Sequence, residues 1–423
     1  MLIRNLLKVA TLLASIGVSS AALADPYMFV GTIAIPAANS NPAGTFVGYD
    51  LSVFDQTSQL FYLTDRSNNA IDVFSSKTNT FVERIGSGLF AGATPSNDNA
   101  GPNGISISDV SGGKLLIAGD GPSTFKTFNL APDGLTVIGA PRTISTAVPG
   151  TPAPPNRVDG VAYAPTTNTI LAANNASNPG FVTLVNNATG TVIRSIQLNG
   201  TGGYPDVAGN GVEATIFNNA RGSFFVAVPV FSNTGAGGVI ELDAANGNLL
   251  RTFDFNALGL VGGCGPTGIA QGKGASMVVA CGDAGTNTIV LNPAGTGSIK
   301  KIPQVSGGDQ VAFDPTRNTF FEAARFQIGG PVLGVISGST ETWLQNLPIT
   351  FNDHSVAVDP ITGEVFVPFG AAASNAICPQ GCIGVFAPIP EPEVLTLMAI
   401  GLAGLAGLQR RRGRRPAGRE LQT

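Results

Sequence analysis

Seven polar residues recur about fifty positions apart: Asp50, Asn103, Asp159, Glu213, Thr267, Asp309 and His354. Each stands where a short β-prone run begins. Five of the seven are Asp, Glu or His, and none is Lys or Arg. Arranged around an axis, they would rim one mouth of a central channel. A carboxylate-rich rim suits a hard cation such as Ca2+, which takes oxygen ligands, or a hydroxyl-rich ligand. His354, the only histidine, would border such a site as a hydrogen-bonding group or general base. A structural reading competes. Polar side chains commonly satisfy backbone groups where a chain enters a strand, and the alignment slips by one residue in the second, fourth and fifth units.

Other chemistry finds little support. There is no G-x-S-x-G elbow. GIAQGKG (268–274) ends in Gly where a phosphate-binding loop needs Ser or Thr. One histidine rules out H-x-H and H-E-x-x-H zinc motifs, and CPQGC (378–382) has the wrong spacing for a redox C-x-x-C. A Ser-His-Asp triad would have to be built around His354, and no local motif supplies its nucleophile.

The elements that must position the seven residues are repeats. LSVFDQTSQLFYLTD (51–65), ISISDVSGGKLLIAGD (105–120), VAYAPTTNTILAANN (161–175), ATIFNNARGSFFVAV (214–228), GIAQGKGASMVVACGD (268–283), VAFDPTRNTFFEAA (311–324) and VAVDPITGEVFVPFG (356–370) share one plan. A β-prone run, a turn rich in Pro, Asn, Gly or Thr, and a second run make a hairpin each time. Third and fourth runs follow most of them, as in AIDVFSS and TFVERIG after the first. Four strands per unit and seven units predict an all-β, seven-bladed β-propeller. The last unit ends at IGVFAPI without a fourth strand. YMFVGTIAIP (27–36) has that character and is expected to complete it, closing the ring. Within this layout Cys264 precedes the inner strand of the fifth blade and Cys281 ends the antiparallel strand beside it, so the two come close. Cys378 and Cys382 bracket a small loop. Two disulfides are expected, with free thiols as the other possibility.

In repeat style LFYLTDRSNNAIDVFSSKTNTFVERI (60–85) resembles the YVTN/NHL-type propellers of the quinoprotein-amine-dehydrogenase-like group. That resemblance implies fold and not activity.

The termini carry an address. MLIRNLLKVATLLASIGVSSAALADP has basic Arg4 and Lys8, an apolar stretch and Ala22-Leu23-Ala24, the layout of a signal peptide cleaved after Ala24. A membrane-anchoring first helix is the other reading. At the far end Pro390-Glu391-Pro392 precedes an uncharged run from Val394 to Leu408, then Arg410, Arg411, Arg412, Arg414 and Arg415. Those fifteen residues as a helix would span about 22 Å, short against a hydrocarbon core of about 30 Å. The arginines should stay cytoplasmic. This ending resembles the PEP-CTERM sorting signal, also described as an ice-binding-protein C-terminal-type motif. The resemblance implies an exosortase, a membrane transpeptidase, that cuts near the motif after transient membrane insertion. It also implies a cell-surface or matrix destination in an exopolysaccharide-making bacterium. An uncleaved tail anchor is the alternative.

The chain has 23 Lys and Arg and 27 Asp and Glu. The leader holds two basic residues, and the stretch from Arg410 holds six arginines and Glu420, which leaves 15 basic and 26 acidic residues. So acidic a remainder does not suit nucleic acid. The expected organisation is a signal peptide (1–24), a propeller (25–389), the sorting signal (390–415) and a tail (416–423). The expected function is a non-catalytic surface or matrix module that binds extracellular polysaccharide or other surface proteins. The alternative is a metal-dependent, lactonase- or esterase-like hydrolase at the channel mouth.

Overall fold

The computed structural model describes residues 26–148, 157–175, 177–207, 211–260 and 263–389. The expected signal peptide, Pro390, Glu391, Pro392, the apolar run after them, and Arg410, Arg411 and Arg412 lie outside the described residues. Among the described residues no helix is long and apolar enough to cross a membrane.

Residues Tyr27–Pro388 form one compact unit of seven four-stranded antiparallel sheets. Six sheets use four consecutive strands. The first is typical: Tyr49–Asp55, Leu60–Asp65, Ala70–Ser75 and Thr80–Ile85, paired in that order. Turn chemistry sets the hairpins. Asp314 Oδ1 accepts hydrogen bonds from the Thr316 and Arg317 amides, at 2.7 and 3.1 Å. Asn318 then takes a left-handed φ of 51°, which asparagine tolerates better than most residues. Asn168 does the same in the third sheet, at 54°.

The second strand of each sheet lies in its middle and is buried on both faces. LFYLTD, TILAAN, SFFVAV, MVVAC and VFVPF are buried throughout, and their polar residues stand only at the strand ends. The outermost strands are mostly exposed or half-buried, as TFVERI is. The core is a ring of seven apolar clusters, one between each pair of neighbouring sheets. This is a seven-bladed β-propeller.

The N-terminal strand, Tyr27–Ala34, pairs with Cys382–Pro388 and completes the seventh blade. The order there is Tyr27–Ala34, Cys382–Pro388, Val365–Phe369, Ala357–Val358. Both disulfides form, Cys264–Cys281 and Cys378–Cys382.

The inner strand of blade 7 has only two residues, and Gln310 of blade 6 reaches past it to blade 1. Its Oε1 accepts from Ser355 Oγ at 2.7 Å and from the amides of Ser52 and Val356, both at 3.1 Å. Its Nε2 donates to the Ser52 carbonyl at 2.6 Å. One amide thus ties three blades. Gln310→Ala is expected to lower the unfolding free energy by about 2 kcal/mol, because several inward polar groups lose their partner. Urea denaturation measures this, and an unchanged midpoint would mean the three blades hold without the tie.

Candidate functional site

The channel mouth opens into a cavity of about 610 Å³, lined by Asp50, Asp159, Glu213, Thr267, Asp309 and His354 among others. Six of the seven residues expected at the rim therefore converge. Asn103 does not line it. It is fully buried, its Nδ2 donating to the carbonyls of Ala100 and Val158, both at 2.9 Å, and its Oδ1 accepting from Arg66. Thr267 reaches the cavity, but its hydroxyl donates to the Gly308 carbonyl at 2.9 Å. For these two the structural reading holds. Thr94, Pro95 and Asn97 extend the mouth from the loop before the second blade.

Three arginines supply what the rim positions lacked. Arg66 pairs with Asp50, Arg157 with Asp159 at 3.0 Å, and Arg325 with Asp309 at 2.9 Å. Arg66 and Arg325 each follow directly the second strand of their blade. Antiparallel pairing sets the end of that strand beside the start of the first, Asp65 opposite Tyr49 in blade 1. Asn175 holds the equivalent place in blade 3 and donates to Asp159. For Arg66 and Arg325 the missing signal was therefore present at the strand exits, where R, N and R recur, whereas Arg157 stands just before the entry residue it pairs with.

Mutual repulsion among the carboxylates is relieved mainly by guanidiniums, and among the described residues no three His, Cys, Asp or Glu side chains converge as a metal site. Three paired carboxylates and three nearby cations make a poor match for a divalent ion.

The environments of the acids differ. Burial pushes the Asp50 carboxyl up to about 7, against the pull of Arg66. Burial also opposes ionisation of Asp159, but Arg157, then Arg66 and hydrogen bonding with Asp50, hold it below the ordinary range. Glu213 has no guanidinium on it, and burial, then the charges of Asp159 and Asp309, push it well above its usual value. His354 is neutral, since burial pulls it down to about 4. Its ring stacks on Tyr49, centroids 4.5 Å apart. Its Nδ1 lies 2.7 Å from the Asn352 carbonyl, which assigns the proton to Nδ1 and leaves Nε2 as an acceptor, 3.9 Å from Asp50 Oδ1. The mouth thus interleaves acceptors with donors and is close to charge-balanced.

No family model matches the chain, and no curated protein matches its sequence. Solved structures do match its shape. A chain of the mitotic checkpoint complex is 12% identical, with TM-score 0.56 over 86% of this chain and 93% of that one. A chain of the Kuenenia stuttgartiensis hydrazine synthase is 10% identical, with TM-score 0.57 over 77% of this chain and 92% of that one. The Neurospora crassa Pan2 WD40 domain is 11% identical, with TM-score 0.55 over 87% of this chain and 97% of that one. The fold is a seven-bladed, WD40-like β-propeller. At such identities the likeness extends to the fold alone.

Proposed function

We propose that the chain is an exported cell-surface or matrix module, sorted by an exosortase-type enzyme, whose channel mouth binds extracellular polysaccharide without catalysis. The observation that carries the reading is the interleaving of carboxylates with guanidiniums around one cavity. Sugar hydroxyls both donate and accept, and a rim of fixed Asp–Arg pairs meets them with both kinds of partner. The two disulfides, which use all four cysteines, support an oxidising compartment. The hydrolase reading keeps one supporting feature, the acceptor Nε2 of His354 beside Asp50, but the paired carboxylates leave a catalytic metal few free oxygens.

Binding is tested by sedimenting the purified protein with the exopolysaccharide of its native host. Wild type should co-sediment, and Asp159→Asn with Arg157→Gln should not. Failure of the wild type to bind would overturn the reading. Sorting is tested by intact mass from the native host. The mature chain should lack Met1–Ala24 and the stretch from about Glu391 onward. Recovery of membrane-bound chain with Arg410 attached would favour a retained anchor.

A further inference from the structure

Four carboxylates and three guanidiniums share the mouth, and their pairing leaves Glu213 over. Asp50, Asp159 and Asp309 each hold an arginine. Glu213 has only Asn175 Nδ2, at 3.5 Å, and the charges facing it are Asp159, Asp309 and Arg157. Two neighbours carry unused hydrogen-bonding capacity. Thr215 follows two residues on along the same strand face, lines the cavity and is 7% exposed, yet its Oγ1 has no partner among the described residues. Asn175 is 6% exposed, and its Oδ1 likewise has no partner. Buried polar atoms are satisfied as a rule, so an unsatisfied Thr215 Oγ1 on the cavity wall, with Asn175 beside Glu213, points to a ligand.

The unused capacity includes three acceptors: the Glu213 carboxyl, the Asn175 amide oxygen and the Thr215 hydroxyl, which can also donate. The matching donor is an ammonium, with three N–H groups and one positive charge. We propose that the Glu213 wall takes the primary ammonium of an amino sugar, an inference that rests on the polysaccharide reading and sharpens it. In the free protein Glu213 keeps its proton, because burial and its acidic neighbours disfavour the charge. On binding, the carboxyl O–H bond breaks, the proton passes to buffer, and the carboxylate pairs with the ligand's N–H groups. The contacts of Asp50 with Arg66, Asp159 with Arg157 and Asp309 with Arg325 are then joined by a fourth, Glu213 with the ammonium. An N-acetylated sugar brings no charge, and an acidic sugar would meet three carboxyl groups on this side.

Calorimetric titration of the purified full chain tests this, with a glucosamine tetrasaccharide and its fully N-acetylated counterpart. Two mildly acidic buffers of different ionisation enthalpy report proton release. The amino sugar should bind at least about tenfold more tightly, with release of about one proton. Glu213→Gln should bring the two sugars to the same affinity and abolish the buffer dependence, and Thr215→Val should weaken the amino sugar. Folding of both variants is checked by their melting transitions. Equal affinities in wild type would overturn the inference and leave the polysaccharide reading standing. A preference that survives Glu213→Gln would also overturn it. Binding of neither sugar would sink the inference, and failure with the host polysaccharide as well would sink the broader reading.

Discussion

Deleting Tyr27–Ala34 is expected to destabilise the propeller by on the order of 5 kcal/mol and to make it aggregate. The strand buries Tyr27 and Ile33, 2% and 3% exposed, in two different inter-blade clusters. Tyr27 packs edge-on against Phe321 of blade 6, centroids 4.9 Å apart. Its backbone amide donates to Gln345 Oε1 at 2.9 Å, and its carbonyl accepts from Gln345 Nε2 at 3.0 Å. Full burial of two such side chains is worth about 3–6 kcal/mol. The lost ladder would also leave Cys382–Pro388 as an open, apolar edge, which templates association between molecules. The strand further joins the two ends of the ring in one sheet, so its loss frees both. Urea denaturation and light scattering measure the two effects. A deletion variant with the parent's midpoint and no scattering would show that packing alone closes the ring.

The closure was legible because it needed only a count. Seven units called for twenty-eight strands, the last unit lacked one, and the segment at 27–36 had the right character. Hairpins were legible for a local reason: Asp, Asn and Gly at fixed offsets force tight turns, and the apolar runs on either side must then pair. The mouth was half legible. Strand entries line up along the chain, so Asp50, Asp159, Glu213 and Asp309 could be found together. Their guanidinium partners lie in the same blades but off the entry positions: Arg66 and Arg325 at strand exits, and Arg157 in the loop before Asp159. Arg66 lies 16 residues from Asp50 and bonds also to Asn103, 37 residues away in the next blade. Contacts between blades follow ring geometry, which a strand-by-strand reading does not contain. Glu322 was missed for a related reason. It stands in TFFEAA, where strand alternation would allow it a solvent face, but the middle strand of a blade has none.

Glu322→Gln is expected to stabilise the propeller near neutral pH and to remove part of its alkaline sensitivity. Glu322 is fully buried between blades 5 and 6, and its side-chain partner is Thr288, whose Oγ1 lies 2.9 and 2.8 Å from the two carboxyl oxygens. Burial raises the acid from its ordinary 4.5 to about 8, only partly offset by that hydrogen bond. The neutral acid donates its proton to Thr288 Oγ1, and the threonine hydroxyl can then donate to the Val305 carbonyl at 3.2 Å. Because the folded state holds the proton more tightly than the unfolded one, this group's stability is full below pH 4.5. It declines as pH rises through that value and is lost above about 8. At neutral pH the deficit is about 3 kcal/mol, from about 1.4 kcal/mol per pH unit. Glutamine keeps the size and the donor to Thr288 but never ionises, so it should recover most of that amount. Its second N–H, crowded against Gly308, subtracts about 1 kcal/mol. Urea midpoints of both proteins across mildly acidic to mildly alkaline buffers provide the measurement. The difference between variant and wild type should be near zero or slightly negative at the acid end and grow steadily toward alkaline pH. A difference that stays flat would mean that the Glu322 carboxyl titrates normally and that water reaches it between the blades.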